Sequence, residues 1–538
     1  MTSSLISRRS FLVGSSLLAI TLSTAAKAAS KATSSATKAA TGEPVSGGTL
    51  VIGQYQEPTF YDPNRQYSWE TYRLDKHIYE SLLAEDLSVT SQDGPPPLVP
   101  ALAVSYEAND DFTRFKFKLR RGVKFHDGED FNADALHFNI RRFTDKDFEF
   151  YDVRAGATMK NVYGTLTAFN IIDDHTVEYV FSEPFREFPR MLPQGNYVSG
   201  VFSPKALRTY GQDGLAEHPT GTGPLKFVER IRNEKTVLQR NDDYWGTKAR
   251  VERIIFRPIT DDSTRLSALQ SGEIDILTRT PTDAVETLTD AGYQVLDSTG
   301  AGQLFLGWHF TNKYAASAKV RQAIIQAIDR EGIAKTLFRG HALPSYSILN
   351  IGNTAYDPAQ RDHAYDPEAA RKLLTEEGFK DGEIAFTIVT DEANQPTIEW
   401  IQRDLAKIGI KVSIISQEWL TYTANLGKLP DDVALFAMEW GFITPYWLKL
   451  VYQGYILGHG GKDAVGEEAA KLIAAATREP DEAKAIALWK QANGVLQEKS
   501  AILPLLTFTR YFTAAANVRG FNAPAQNFYD LSTVWLEA

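Results

Sequence analysis

"GTGPLKFVERIRNEKTVLQRNDDYWG", residues 221–246, is the stretch whose reading decides the fold. Gly221 and Gly223 have the spacing of a dinucleotide-binding loop, but Pro224 follows at once and no third glycine completes that pattern. A P-loop lysine and hydroxyl are missing as well. Two glycines and a proline predict instead a sharp bend of the backbone between strands. At the far end Tyr244 and Trp245 precede Gly246, as core plugs do where a chain turns.

Upstream, "TLVIGQY" (49–55) is a short strand, and "WETYRLDKHIYESLLAED" (69–86) spaces Tyr72, Ile78, Tyr79, Leu82 and Leu83 as one helix face. "TRFKFKLR" (113–120) alternates Phe115, Phe117 and Leu119 with basic residues, the mark of a half-buried strand. "GVKFHDGEDF" (122–131) is a turn, which explains His126 and Asp127 before Gly128 without a metal. A helix follows, with Asn132 as its cap, and "DDHTVEYVF" (173–181) alternates again. Downstream, "SAKVRQAIIQAIDREGIAKTLF" (317–338) is one long helical pattern. Helices at 366–379 and 398–409 alternate with strands "IAFTIVT", "IKVSIIS" and "DVALFA", which predicts an α/β lobe. Residues 481–508 read as a helix running into a strand broken by Pro504.

The chain has 538 residues, too many for one typical core, so at least two lobes are expected. A formal net charge of -10 argues against nucleic acid or an anionic membrane as partner. The absence of cysteine excludes disulfides, thiolate sites, cysteine nucleophiles and acylation at cysteine. No nucleophile elbow and no zinc-binding helix occurs, and the nine histidines include no close pair with metal-ligand spacing. At the N-terminus, paired Arg8 and Arg9 precede Phe11, Leu12 and a short apolar run, with Ala26–Ala28 offering small residues for cleavage. Residues 1–28 therefore resemble a twin-arginine export signal, and 29–47, rich in Ala, Ser, Thr and Lys, a flexible leader. The mature protein is expected to be soluble, periplasmic and not lipid-anchored.

The motifs together resemble those of the family 5 extracytoplasmic solute-binding proteins of ABC importers, which serve peptides, nickel and related solutes. The resemblance rests on "GGTLVIG", "PPLVPALAVSYEANDDFTRFKFKLRRGVKFHDGEDFNADAL", "GTGPLKFVE…QRNDDYWG", "LSALQSGEIDIL", "KVRQAIIQAIDREGIAKTLFRG", "YDPEAARKLLTEEGF" and "IQRDLAKIGIKV", which stand in the family order from Gly47 onward. It implies an α/β fold of two lobes, a type II periplasmic binding protein, with an extra subdomain in lobe one and the ligand cleft between the lobes. By that resemblance lobe one takes residues 45–75, 166–300 and 508–538, the extra subdomain 76–165, and lobe two 301–507. It further implies a monomer without enzymatic activity or cofactor, which closes on a small solute and docks on a permease.

The solute is sought in "MEWGFITPYW", Met438–Trp447. Peptide-binding members of the family carry an acid between the tryptophan and the proline of this segment, to pair with the peptide's ammonium. Here Gly441, Phe442, Ile443 and Thr444 fill that space, and strand alternation points Glu439 away from Trp440. This weakens the peptide reading, although another acid could substitute. Aromatic side chains and neutral polar groups suit a sugar or an opine-like conjugate. The candidate residues are Trp440, Phe442, Tyr446, Trp447, Tyr67, Trp69, Asn196, Tyr197 and Ser199, with Arg154 for a phosphate or carboxylate. A metal chelate is a further possibility, with His459 in "GHGG" as the candidate ligand, although a mobile turn explains that residue too. A secreted hydrolase using clustered acids and a chemosensory receptor of the same fold are the competing functions.

Overall fold

The computed structural model describes residues 45–537, apart from 59, 66–67, 90–93, 194–199, 442–443, 454–456, 458–459 and 524–527. The export signal expected at 1–28, and the leader as far as residue 44, lie outside the described residues. Among the described residues, eleven strands form one mixed sheet. Its centre is a pair of long antiparallel strands, Gln294–Trp308 and Ile502–Ala514. On one side of this pair come Val433–Trp440, Ala385–Asp391 and Lys411–Gln417, mutually parallel. On the other side come Ile276–Leu277, Thr49–Gln54 and Arg253–Pro258, also mutually parallel, followed by two antiparallel strands. The two halves of the sheet thus share only the two crossing strands, as the two-lobed α/β expectation requires.

The crossing pair changes register between Thr299 and Gly302. Gly300 has a φ of 100°, and a Cβ there would lie 3.3 Å from the carbonyl carbon of Ile351. The bulge therefore falls where only glycine fits. Pro504 does not break its strand. Ile502–Ala514 runs through it, and a second register shift, at Leu304–Phe305 opposite Pro504, absorbs the missing N–H.

A separate four-stranded sheet, ordered Ala103–Ala108, Arg114–Leu119, Thr176–Phe181, Leu166–Asp173, carries the alternating Phe115, Phe117 and Leu119 inward. Residues 166–181 pair within this sheet, so the boundary expected at 165/166 runs through it. The helix expected over 69–86 spans only Trp69–Asp75. The backbone beyond it is claimed by other strands, because Leu225 donates to the His77 carbonyl at 3.0 Å and Gly223 to the Ile78 carbonyl at 2.8 Å. The helix expected over 317–338 is two helices, Ala318–Ala327 and Arg330–Thr336. Asp329 divides them: its carboxylate accepts from Gly332 N–H at 2.8 Å, and its own N–H donates to Asp404 at 3.0 Å.

The glycines of 221–223 are not left-handed, contrary to the sharp bend expected from them. They permit close approach instead. A Cβ on Gly223 would overlap the His77 carbonyl oxygen, and one on Gly221 the Ile78 carbonyl oxygen. His126 closes the arrangement, its N–H donating to Gly221 at 2.9 Å and its Nε2 lying 3.0 Å from the Gly223 carbonyl. Burial holds its pKa down to about 4, and that of His77 likewise. Tyr244 and Trp245 do more than plug the core. Tyr244 Oη and Trp245 Nε1 donate to the Glu80 carboxylate at 2.8 and 2.9 Å, and Thr222 Oγ1 joins them at 2.8 Å. Burial nevertheless pushes Glu80 up to about 6.

Candidate functional site

Strand directions mark a candidate edge before any side chain is considered. Val433–Trp440 runs antiparallel to Gln294–Trp308, and its last residue, Trp440, pairs with Gln303 beside the bulge. Its parallel neighbours end at the same edge, with Asp391 paired to Gln417. In the other half, Leu277 pairs with Thr513 and Ile276 with Ala514, so that parallel set also ends toward the bulge. Two sets of strand carboxyl ends therefore face each other across the crossing strands. In open α/β sheets that edge is where ligands bind.

On the lobe-two side, Trp440 is half-buried, with Phe305 edge-on at 5.9 Å and Trp447 tilted against it at 5.3 Å between ring centroids. Gly441 and Pro445 end the strand and turn the chain into the helix Trp447–Gln453, which brings the two indoles together. Tyr446 is 5% exposed and stacks on Phe185 at 4.7 Å. Lys449 Nζ reaches Glu183 at 2.6 Å, and Arg186 donates to the Glu479 carbonyl at 3.1 Å. The segment following the four-stranded sheet is thus fastened to the WGFITPYW region. Glu439 does point away from Trp440: it pairs with Arg510 of the second crossing strand, over Gly302.

On the lobe-one side, Trp69 opens its helix and stacks on Phe528 at 5.4 Å. The next residue, Glu70, is buried against Arg73 and accepts from Thr278 at 3.3 Å, which ties the helix to the strand ends. Arg279, exposed and with a φ of 53°, lies over the Tyr55 ring at 4.8 Å. A left-handed arginine is costly, and such backbone strain is concentrated at functional edges.

The expected residues do not all assemble. Trp440, Tyr446 and Trp447 are together. Trp69 lies in the other half, against Phe528. Arg154 sits on the exposed side of the helix Val153–Tyr163, with its guanidinium 5.3 Å from the Phe60 ring, and among the described residues nothing joins it to the Trp440 group. Tyr67, Asn196, Tyr197, Ser199, Phe442 and His459 lie outside the described residues. Asp391, Arg279 and Tyr55 were missed. No motif marks them; only the rule that sites lie at strand carboxyl ends, applied to each predicted strand, could have drawn attention to Asp391.

Comparison with known proteins agrees with this fold. The family model described as "Bacterial extracellular solute-binding proteins, family 5 Middle" matches residues 97–455. A glutathione-binding protein, GsiB of Salmonella choleraesuis, is 26% identical over 493 residues, covering 88% of this chain and 91% of its own. A dipeptide-binding protein of Pseudomonas aeruginosa is 28% identical over 509 residues, covering 89% and 94%. The structure is similar to that of the ABC transporter-associated periplasmic binding protein DppA from Helicobacter pylori in complex with peptide STSA, with a TM-score of 0.79 and 25% identity over 92% of this chain and 99% of that one.

Proposed function

The chain belongs to family 5 of the bacterial extracellular solute-binding proteins, and from that premise we propose that it is the periplasmic receptor of an ABC importer for a solute of small-peptide size. The observation that carries this is the end-to-end likeness to peptide- and glutathione-binding relatives, together with a cleft edge in the same chain that gathers aromatic and charged groups. We assign lobe one to the half of the sheet containing Thr49–Gln54 and Arg253–Pro258, and lobe two to the half containing Val433–Trp440. The hinge is placed at the Thr299–Gly302 bulge and its partner Phe508. The extra subdomain is taken to extend through Phe181, because its sheet does.

The mechanism follows from the wall residues. A solute entering between the strand ends meets Trp440 and Trp447 on one side and Trp69, Tyr55 and Arg279 on the other. Contacts to both walls are complete only when the lobes are together, so binding favours the closed form by the difference in affinity between the two forms. The Tyr446–Phe185 stack and the Lys449–Glu183 pair lie beside the Trp440 group and lock with closure. No bond is made or broken. A monomer exported by the twin-arginine route, without a lipid anchor, completes the reading. The sugar-phosphate alternative is not favoured, since Arg154, the arginine expected to hold its anion, is not joined to the Trp440 group among the described residues.

Titration calorimetry with dipeptides, glutathione, peptide STSA, an opine and a nickel–histidine chelate tests it. One-to-one capture of a peptide-like member without turnover is expected. Capture of none, or release of a cleavage product, overturns the proposal.

A further inference from the structure

Asp391 is the last residue of Ala385–Asp391, at the carboxyl edge that forms the lobe-two wall. It is 7% exposed. Several other buried carboxylates face cations: Asp62 faces Arg142, Glu70 faces Arg73, Asp362 faces Arg330 at 2.6 Å, and Asp404 faces Lys407 at 2.8 Å. Among the described residues no lysine, arginine or histidine lies within ion-pair distance of Asp391. Its recorded side-chain partner is the Asn394 amide, which donates at 2.6 Å. A charged carboxylate left in this state is costly unless a cation joins it. Burial raises its pKa, and the charge of Glu439 adds to the rise, against hydrogen bonds from Asn394 and from the backbone of Asp391 and Ala393 that lower it; the net direction is one an added cation would reverse. Glu439 itself is already occupied by Arg510.

Register decides what Asp391 sits beside. Val389 pairs with Phe436 in parallel, so Asp391 comes level with Met438, and strand alternation puts it on the face of Trp440. One strand spacing (~4.8 Å) and two residues (~6.6 Å) then separate Asp391 from Trp440. The indole thus shares a face with the carboxylate, and an aromatic ring within about 6 Å of a cation attracts it through the ring quadrupole.

We propose that Asp391, with the Trp440 ring beside it, forms the subsite for a protonated amine of the solute. This rests on the peptide-sized solute proposed above and supplies the acid that residues 441–444 do not. A role confined to holding the turn Glu392–Asn394 would affect stability but would not discriminate amines.

The test is calorimetry of the full chain and of Asp391→Asn, with a Met-Leu dipeptide, glutathione, and the analogue of each in which hydroxyl replaces the ammonium. Wild type should favour the amine over the hydroxyl analogue by about 10- to 100-fold, the worth of a charged hydrogen bond. D391N should erase most of that preference while binding the hydroxyl analogue as wild type does. Thermal melts of D391N, with Asp391→Glu as a second variant expected to restore part of the preference, separate folding from recognition. An amine preference unchanged in D391N overturns the subsite alone. Equal wild-type affinity for amine and hydroxyl forms does the same. Capture of neither dipeptide nor glutathione overturns the peptide-like reading, and the subsite with it.

Discussion

Replacing Gly223 by alanine perturbs the structure at one point whose surroundings cannot yield. The new Cβ would overlap the His77 carbonyl oxygen and lie 2.8 Å from both the carbon and the oxygen of the Ile78 carbonyl. All three atoms are backbone, so no side chain can rotate away. Relief requires the 221–225 segment to move off 77–79, which breaks Gly223 N–H to Ile78 at 2.8 Å and Leu225 N–H to His77 at 3.0 Å. The same movement strains two contacts to the Gly223 carbonyl, from His126 at 3.0 Å and from Asn241 at 3.1 Å. Two lost backbone hydrogen bonds cost about 2 kcal/mol, and overpacking adds about 1–3 kcal/mol. The alanine recovers about 0.5 kcal/mol by restricting the unfolded chain. The net expectation is a loss of about 3 kcal/mol, read from urea unfolding followed by tryptophan fluorescence at pH 7 with the slope checked for constancy. Gly427→Ala is the control: no atom lies within 4 Å of its Cβ position, so it should be neutral or slightly stabilising. A Gly223→Ala loss no larger than that of the control would refute the close-approach account.

Acidification should unfold the protein through its buried imidazoles. His77 and His126 are held down to about 4 by burial, below their ordinary 6.5, so their stabilisation is complete above pH 6.5 and is lost as pH falls to 4, roughly 3 kcal/mol each. Glu80 acts in the opposite sense: its raised pKa of about 6 adds roughly 2 kcal/mol as pH falls from 6 to 4.5, so urea midpoints between pH 7 and 4 should register a net loss of roughly 4 kcal/mol. Trp440→Ala should weaken capture of the dipeptide more than tenfold while costing about 1–2 kcal/mol of stability, because the ring is half-buried; a stability loss with unchanged affinity would make it core alone. Glu183→Gln removes the partner of Lys449 across the closure contact and should lower affinity about threefold to tenfold by calorimetry, whereas a lowered melting temperature with intact affinity would assign the pair to the fold.

Local chemistry made much of the architecture legible. The alternation of Phe115, Phe117 and Leu119 predicts an inward face, and all three are buried. Helix–strand alternation between 366 and 437 predicts the parallel strands that form the lobe-two wall. The failures share a cause. Ile78 continues a helical period, yet the His77 and Ile78 carbonyls accept from Leu225 and Gly223, more than 140 residues away. Gly221 and Gly223 resemble turn glycines because sequence cannot distinguish left-handed φ from close approach. The aromatic part of the candidate site was visible, because Gly441 and Pro445 break a strand among tryptophans. The charged part was not: Asp391 ends an ordinary buried strand, and only the register against Phe436 brings it to the face of Trp440. Arg154 shows the converse, an arginine chosen by chemistry alone that is not joined to the Trp440 group among the described residues.

The central claim is that the cleft between the two sets of strand ends captures one small solute without altering it. Native mass spectrometry of the protein purified from its own host, followed by denaturation and identification of whatever is released, tests this most directly. The account predicts a single non-covalent adduct of peptide-like size, bearing an amine, that leaves intact and is depleted in Trp440→Ala. A covalent adduct, a released hydrolysis product, or an adduct retained equally by Trp440→Ala would contradict it.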